Sequence, residues 1–196
     1  MNKKILVVVD MQKDFITGSL GNAECVNVVD RVVDLIEKGN YDEIYVTYDT
    51  HSEDYLDTNE GNHLPVTHCI KGTEGYELDD RIKKAIDTVS DRHIPILSFE
   101  KPTFGSINLA HYLMNESSSK VKNESSTQID FCGVCTGICV ISNVMLAKAA
   151  VPETKIRVIA DACACVTTES HRTALNAMKM CHIEIIEQGK YFSTNK

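Results

Sequence analysis

The sequence predicts an α/β protein of three layers, α/β/α, in which helices cover both faces of a six-stranded parallel sheet. Six short runs rich in β-branched residues alternate with longer amphipathic runs, and this alternation is typical of parallel sheets with right-handed crossovers. Residues 1–196 contain no repeat and no long linker, and with 43% hydrophobic and 24% charged residues they can bury a sizeable core. We therefore expect one domain.

The elements are predicted in chain order from their hydrophobic spacing. Residues 5–9 form an unbroken apolar run that ends at Asp10, as a strand buried on both faces does. Further strands are predicted at residues 43–48, 94–99, 128–132, 156–160 and 183–186. Helices, marked by apolar residues at helical spacing, are predicted at residues 26–37, 78–89, 107–114, 138–150 and 168–180, the last with Thr167 or Thr168 as N-cap. Residues 116–127, rich in Ser, Lys and Asn, are predicted to form a solvated loop.

Polar side chains gather at one end of this predicted sheet. In open parallel sheets, ligands bind beyond the carboxyl ends of the strands. Groups able to do chemistry follow the first four strands: Asp10, then Asp49 and His51, then Lys101, then Cys135 and Cys139. Because these strand ends share one edge, we expect a single site there.

Charge and hydropathy argue against two classes of partner. The net charge is −8, from 20 basic and 28 acidic side chains, and no basic cluster would neutralise a run of phosphates, so we expect no nucleic-acid binding. The apolar runs are far shorter than the roughly 20 residues of a membrane span, so we expect no membrane contact. The first apolar stretch stops at Asp10 without a cleavage site, and we expect a cytoplasmic location.

Eight cysteines are many for such a chain. Their irregular spacing, and a domain large enough to fold without cross-links, argue against a disulfide framework. We expect reduced thiols, at least one of them reactive.

Cys139 is the first candidate nucleophile. It lies in a turn of small residues, 133–140, between a predicted strand and a predicted helix. A thiol at a helix N-terminus feels the positive end of the macrodipole, which is expected to lower its pKa. Backbone N–H groups of the same turn would suit an oxyanion hole. The alternative is a buried structural cysteine.

Asp10 and Lys101 favour the reactive interpretation of Cys139. A carboxylate at the end of a buried strand is costly unless it is paired or functional. A lysine beside the thiol would stabilise the thiolate, and the aspartate would accept the thiol proton and pass it to a leaving group. The alternative is an Asp–Lys ion pair that caps the sheet.

A metal site is predicted after the second strand. Asp49-x-His51, with a later histidine in residues 52–69, offers mixed oxygen and nitrogen ligands that suit Zn, Fe(II) or Mn. The alternative is an acidic surface loop with incidental histidines. The segment lies on the same sheet edge as Cys139, and this position favours the interpretation as a metal site.

Other cysteines and histidines are weaker candidates. Cys132 and Cys135 have the spacing of a redox or zinc pair, but there is no second C-x-x-C. Cys163 and Cys165 are predicted to pack as small apolar residues, and His171 to lie on a helix surface. The glycines form no phosphate-cradling loop, so nucleotide binding is not expected.

Five segments of the chain together resemble the isochorismatase-like cysteine hydrolases, and within them the nicotinamidase branch. The matching segments are residues 10–15, 18–20, 100–106, 133–140 and 170–175. The first carries the family's catalytic aspartate, the third its lysine and the fourth its nucleophile motif. The resemblance covers nearly the whole chain and implies the family's Rossmann-like fold.

The resemblance also implies a mechanism. Asp10, Lys101 and Cys139 would form the catalytic triad. A cis peptide bond would join Val134 to Cys135, and the backbone N–H groups of Cys135 and Cys139 would bind the oxyanion. Cys139 would attack an amide carbonyl, ammonia would leave, and water would hydrolyse the thioester.

The segment after the second strand resembles the metal-binding half of nicotinamidases. Asp49, His51 and His68 fall on its ligands, and Glu60 is the candidate fourth ligand, ahead of Asp57. The implied cofactor is one divalent metal ion, zinc in the first place, with iron or manganese as alternatives. In the family the metal holds the pyridine nitrogen of the substrate.

One departure bears on the substrate. Many nicotinamidases carry a Trp shortly before the His-Cys pair, whereas this chain has none and residues 64–67 occupy that stretch with one residue more. Phe15 would still stack on a flat ring. Gln12, in the same motif, is the second residue assigned to substrate binding.

The function predicted from the sequence is hydrolysis of a small planar carboxamide, in the first place nicotinamide to nicotinate and ammonia, a reaction of NAD salvage. One alternative keeps the triad with another small amide, carbamoyl or ureido substrate. Another is a non-catalytic metal- or redox-binding module. Members of the family range from monomers to tetramers, so a homo-oligomer stays open.

Overall fold

The computed structural model describes residues 3–118 and 127–187, and its centre is one parallel sheet of six strands. The strands are β1 (Lys3–Val9), β2 (Glu43–Asp49), β3 (Ile96–Lys101), β4 (Thr127–Val134), β5 (Lys155–Ala164) and β6 (Glu184–Ile186). They lie in the order β3-β2-β1-β4-β5-β6, and each neighbouring pair is parallel. The α/β fold with a six-stranded parallel sheet is confirmed.

Helices connect the strands. They are α1 (Lys13–Ile16), α2 (Ala23–Lys38), α3 (Asn59–His63), α4 (Asp80–Ser90), α5 (Ile107–Ser118), α6 (Ile141–Ala150) and α7 (Thr168–Met180). Single 3₁₀ turns occur at Tyr55–Asp57 and Glu74–Tyr76, and a π-helical turn, Thr136–Val140, leads into α6. None of the helices described here is long and apolar enough to span a bilayer.

Most element boundaries differ from the sequence prediction by a few residues; β3, for instance, spans Ile96–Lys101 rather than residues 94–99. The helix predicted at 138–150 starts as the π turn, and regular α-helix begins at Ile141. Strand β5 continues four residues past its predicted end, to Ala164. Of the predicted loop 116–127, residues 116–118 belong to α5 and Thr127 begins β4, while residues 119–126 lie outside the described residues.

The helices form where local capping and one apolar face agree. In α2, the Asn22 side chain accepts a hydrogen bond from the backbone N–H of Cys25, and the helix buries a stripe that includes Val29 and Val32. In α7, the Thr167 and Ser170 side chains cap each other's backbone N–H groups. This capping box identifies Thr167, rather than Thr168, as the N-cap.

The strand order reverses between β1 and β4, since the chain builds outward from β1 to β3 and then crosses to β4. The two strands approach closely there: Gly133 has φ +116°, and a Cβ on it would lie 2.1 Å from the carbonyl oxygen of Val9. Only glycine fits this position. Ligands of such sheets bind in the crevice at this reversal, so the fold places a site beyond the ends of β1 and β4.

Candidate active site

Lys101, the last residue of β3, joins the groups at this end of the sheet. Its ammonium Nζ lies 2.7 Å from Asp10 Oδ2, 3.2 Å from Asp49 Oδ1 and 3.8 Å from Cys139 Sγ. The side chain is only 1% exposed. Burial disfavours its charge, but the neighbouring carboxylates outweigh burial and raise the pKa of Lys101 above its usual value. The ammonium therefore stays charged among these anions.

Asp10 follows β1 directly and is completely buried. Its Oδ1 accepts a hydrogen bond of 2.6 Å from the Thr47 hydroxyl. Its Oδ2 lies 2.7 Å from the Lys101 ammonium, an ion-pair contact. Burial, partly offset by Lys101, raises the pKa of Asp10. The Thr47 contact orients the carboxylate, and Oδ2 keeps a lone pair for a proton.

Cys139 lies inside the π turn and is 5% exposed. Burial first, and then the Asp10 carboxylate, raise the pKa of its thiol well above the usual value, although Lys101 acts in the opposite direction. The expectation of a lowered pKa at a helix N-terminus is therefore wrong. Burial and the neighbouring carboxylate outweigh the dipole of α6, which begins only after the π turn that contains Cys139. The resting group is a thiol with a base beside it.

The second cluster consists of Asp49, His51, Glu60 and His68, whose ligand atoms all lie within 4.8 Å of one another. Asp49 Oδ2 is 3.1 Å from His51 Nε2 and 3.3 Å from His68 Nε2. Glu60 Oε1 is 3.7 Å and 3.9 Å from the same two nitrogens. Asp57, the alternative ligand of the sequence prediction, is exposed and not part of this cluster.

These four side chains fit a divalent metal ion. Tetrahedral ligands at about 2.0–2.1 Å from zinc lie roughly 3.4 Å apart, close to the separations within the cluster. His68 Nδ1 donates a hydrogen bond of 2.8 Å to the backbone carbonyl of Val66. The other ring nitrogen, Nε2, therefore presents its lone pair to the cluster. Burial first, and then Asp49, raise the pKa of Glu60, which a cation between the two carboxylates would relieve.

Gln12 positions the end of β2 rather than a substrate. Its Nε2 donates to the backbone carbonyls of Asp49 and Tyr76 at 2.8 and 2.9 Å, and its Oε1 accepts from the Asp49 N–H. The side chain is fully buried and its amide has no donor left. The structure therefore corrects the assignment of Gln12 to substrate binding: it holds the Asp49 backbone between the two clusters.

Asp14, which the sequence reasoning did not single out, has a similar role. Its Oδ2 accepts a 2.8 Å hydrogen bond from the backbone N–H of Cys69, the residue after His68. Cys69 has φ +47°, an uncommon conformation for a residue with a side chain, and Asp14 stabilises it. The two-residue spacing of Asp10, Gln12 and Asp14 was the available signal, but spacing alone does not show which backbone each side chain reaches.

Aromatic rings surround the two histidines of the metal cluster. The Phe15 ring meets His68 edge-on with centroids 5.5 Å apart, and it is largely buried at 8% exposure. Tyr55 packs 4.6 Å from His51 and 4.9 Å from His68, and its hydroxyl donates to the Leu64 carbonyl. The sequence reasoning missed Tyr55, whose hydroxyl helps to order residues 64–67 through the Leu64 carbonyl.

The turn that carries Cys139 follows a cis peptide bond and is held by the Asn143 side chain. The peptide bond between Val134 and Cys135 is cis. The Asn143 side chain, 1% exposed, donates to the carbonyls of Cys139 and Phe104 and accepts from the Ser106 N–H. Asn143 was also missed from the sequence, since an Asn inside an apolar helix gives no indication of its distant partners.

The weaker candidates lie apart from this centre. His171 Nδ1 is 2.8 Å from the Thr136 hydroxyl, so this histidine ties α7 to the π turn. Cys132 and Cys163 are buried within β4 and β5. All eight cysteines are free thiols.

Comparisons with known proteins were made with the sequence and with the fold. The family model of the Isochorismatase domain matches residues 4–188. No curated protein matches the sequence significantly.

Several solved structures share the fold. The nicotinamidase/pyrazinamidase of Bacillus subtilis has 23% identity and a TM-score of 0.78, covering 94% of this chain and 100% of its own. The pyrazinamidase/nicotinamidase of Streptococcus mutans gives the same four values: 23%, 0.78, 94% and 100%. The pyrazinamidase of Pyrococcus horikoshii, determined in complex with zinc, has 24% identity and a TM-score of 0.70, covering 94% of this chain and 99% of its own.

Proposed function

The chain belongs to the Isochorismatase domain family, and from that premise we propose that it is a metal-dependent cysteine amidohydrolase. Its proposed substrate is a small planar carboxamide, in the first place nicotinamide, which it would convert to nicotinate and ammonia. One observation carries the proposal: the Lys101 ammonium contacts the base Asp10, the thiol Cys139 and the metal-cluster residue Asp49 at once. The reacting carbonyl and the substrate ring would therefore be held by adjacent groups.

In the first half of the reaction, Asp10 takes the Cys139 thiol proton as the sulfur attacks the amide carbon. Lys101 offsets the charge on the sulfur and on the carboxylate. The backbone N–H groups of Cys135 and Cys139 would donate to the oxyanion of the tetrahedral intermediate. Asp10 then returns the proton to the leaving nitrogen, the C–N bond breaks, and ammonia departs from a thioester on Cys139.

In the second half, water replaces ammonia. Asp10 takes a proton from the water, whose oxygen attacks the thioester carbon at the same face. The C–S bond breaks as Asp10 gives the proton to the Cys139 sulfur, and the carboxylic acid leaves. Asp10 thus serves as base and acid in each half, which requires that its Oδ2 stay free of other donors.

Asp49, His51, Glu60 and His68 would hold the metal ion, with zinc the first metal to test, as the similar Pyrococcus horikoshii pyrazinamidase was determined in complex with zinc. When bound, the metal supplies a Lewis acid that accepts a ring nitrogen of the substrate. Phe15, beside His68, would contact the face of the ring. This arrangement selects flat heteroaromatic amides over aliphatic ones.

The proposal is tested by ammonia release from nicotinamide, with benzamide as the matched substrate that lacks the ring nitrogen. We expect the zinc-loaded chain to hydrolyse nicotinamide with the lower KM, and Cys139→Ala to release no ammonia while retaining its zinc. Failure of the zinc-loaded chain to release ammonia from any planar carboxamide would refute the proposal.

A second candidate is the same chemistry on a different small amide, carbamoyl or ureido compound. It is favoured by the absence of any Trp, since residues 64–67 offer no ring where many nicotinamidases have one, and Leu64 is 37% exposed instead. Cys139-dependent turnover of a ureido compound, with none of nicotinamide, would select this candidate.

A further inference from the structure

Three thiols meet behind the nucleophile turn, outside the site described above. Cys25 lies in the first turn of α2, Cys135 follows β4, and Cys165 follows β5. Cys135 is the shared neighbour of Cys25 and Cys165, and its single S–H can donate to one of the two sulfurs at a time. Neither the proposed reaction nor the metal cluster uses the side chains of these residues.

The sheet places Cys135 and Cys165 side by side. Val134 and Ala164 are the last register pair between β4 and β5, and the two cysteines are the next residue of each strand. Neighbouring strands lie about 4.8 Å apart, within the roughly 4.4–6.8 Å between Cα atoms that a disulfide spans. The pair can therefore be bridged without moving the strands.

Cys165 differs from the cysteines that merely fill space. Burial raises the pKa of Cys132 and Cys163, as expected for thiols packed among apolar groups. The Cys165 sulfur instead lies where the Cys135 thiol and the backbone N–H groups of Gly137 and Val166 can donate to it. Several donors converge on one sulfur, as they do around a thiolate. Cys165 is buried as expected for an apolar residue, at 4% exposed, but that expectation did not include these donors.

Cys165 is itself only 4% exposed, but it borders a groove that opens to the outside. Cys165 lines an open groove between the π turn and the start of α7, together with Ile138 and Ser170. Val166 beside it is 63% exposed, and Gly137 leaves the groove floor without a side chain: a Cβ there would lie 3.5 Å from Cys165 Sγ. A molecule as small as a peroxide can enter this groove.

We propose that Cys165 and Cys135 form a peroxide-oxidised dithiol site, with Cys165 as the reacting thiolate and Cys135 as the resolving thiol. The Cys165 sulfur attacks one peroxide oxygen: an S–O bond forms, the O–O bond breaks, and the departing hydroxide takes up a proton as water. The Cys135 sulfur then attacks the resulting sulfenic acid. An S–S bond forms, the S–O bond breaks, and the Cys135 proton leaves with the hydroxide as a second water. Two thiols are oxidised and one peroxide is reduced to two waters.

Acid pH separates Cys165 from ordinary thiols. The hydrogen bond from Cys135 is the main reason that the pKa of Cys165 is lowered, to about 4. At pH 5 an ordinary thiol with a pKa of about 8.5 is thiolate in about one molecule in 3,000. Cys165 would thus have a thiolate fraction about 3,000 times larger. A low-pKa thiolate is about a hundredfold weaker as a nucleophile, so the reaction rate of Cys165 would exceed that of an equally accessible ordinary thiol roughly thirtyfold.

The titratable groups that face Cys165 or its groove are Cys135 after β4, Cys25 on α2, and Glu169 and His171 on α7. Protonation of His171 in acid would add positive charge and so favour the thiolate further. The hydrogen bond with Cys135 also lowers the pKa of Cys25.

The test uses the full-length chain carrying Cys139→Ser, so that the proposed nucleophile does not react. After limiting hydrogen peroxide at pH 5 and alkylation, trypsin should yield peptide 123–148 linked to peptide 158–172, with fragment ions that assign the link to Cys135 and Cys165. The link should disappear in Cys165→Ser and persist in Cys181→Ser, the matched control at an exposed cysteine. Reduction by dithiothreitol should restore both thiols.

A second measurement needs no change at Cys165. In the unsubstituted chain, iodoacetamide at pH 5 should label Cys165 faster than Cys181, although Cys181 is exposed and Cys165 is 4% exposed. Equal labelling of the two, oxidation of Cys181 with Cys165 still a thiol, or a Cys25–Cys135 link in place of the Cys135–Cys165 link would each overturn the proposal. Because no outcome depends on amide hydrolysis, the result is separate from that of the proposed function.

Discussion

Lys101 contacts both clusters of the site and so couples the proposed base to the proposed metal. Its ammonium lies between the carboxylates of Asp10 and Asp49, and it is 1% exposed. Together the two carboxylates offset the cost of burying the Lys101 ammonium. The two carboxylates therefore keep the charge that the Cys139 sulfur needs during reaction.

Asp10→Asn tests the base assigned to this cluster. An amide cannot accept the thiol proton, so we expect kcat for amide hydrolysis to fall about 10²- to 10⁴-fold. Lys101 keeps Asp49 as a partner, so the variant should stay folded, which circular dichroism would show. Asp42→Asn, at an exposed carboxylate on the opposite sheet edge, is the control and should keep full activity. Wild-type kcat in Asp10→Asn would disprove the role.

Gln12→Ala tests whether this residue acts through the metal cluster. Loss of the amide leaves the Asp49 N–H and two carbonyls without partners, which should cost about 1–3 kcal/mol of unfolding free energy. Because the Asp49 backbone is then free to shift, zinc affinity should fall roughly 10- to 100-fold in calorimetric titration. Gln128→Ala, in β4 far from the cluster, should leave it unchanged. A raised KM with unaltered zinc affinity would instead restore Gln12 to substrate binding.

At the scale of elements, the reversal between β1 and β4 depends on Gly133. Gly133→Ala must place a methyl group 2.1 Å from the Val9 carbonyl oxygen at φ +116°, so we expect a loss of more than about 3 kcal/mol in urea unfolding. Gly72→Ala is the matched control: it too has positive φ, +88°, but open space around the new Cβ, and should cost only about 1–2 kcal/mol. Equal losses in the two variants would show that the close strand contact is not what matters.

The order of the elements also explains which parts of the site could be predicted from the sequence. Asp10, Lys101 and Cys139 could be placed on one sheet edge because apolar runs mark strands locally and parallel strands share their carboxyl ends. The hydrogen-bond partners of Asp14 and Asn143 could not be predicted, because these side chains contact backbone groups that only the folded chain brings close.

Local rules failed where burial decides the chemistry. The helix-dipole argument for Cys139 ignored the depth of the site, and the apolar-packing argument for Cys165 ignored the donors around its sulfur. In both cases the direction of the pKa shift depends on neighbours from other elements. A sequence pattern can indicate which side chain is a candidate for reaction, whereas the neighbours in the folded chain determine its pKa.

At the scale of the whole molecule, the metal cluster joins β2 to the segment of α3 and His68, which has little other regular structure. Metal bound only to the folded chain stabilises it by mass action, by about 2.7 kcal/mol when free metal is 100 times Kd. We therefore expect EDTA to lower Tm and added zinc to restore it. His51→Ala, which removes one ligand, should show a much smaller zinc-dependent rise. If Tm of the unsubstituted chain is the same with EDTA and with zinc, the four side chains do not hold a structural metal, and the Lewis-acid part of the proposed reaction falls with it.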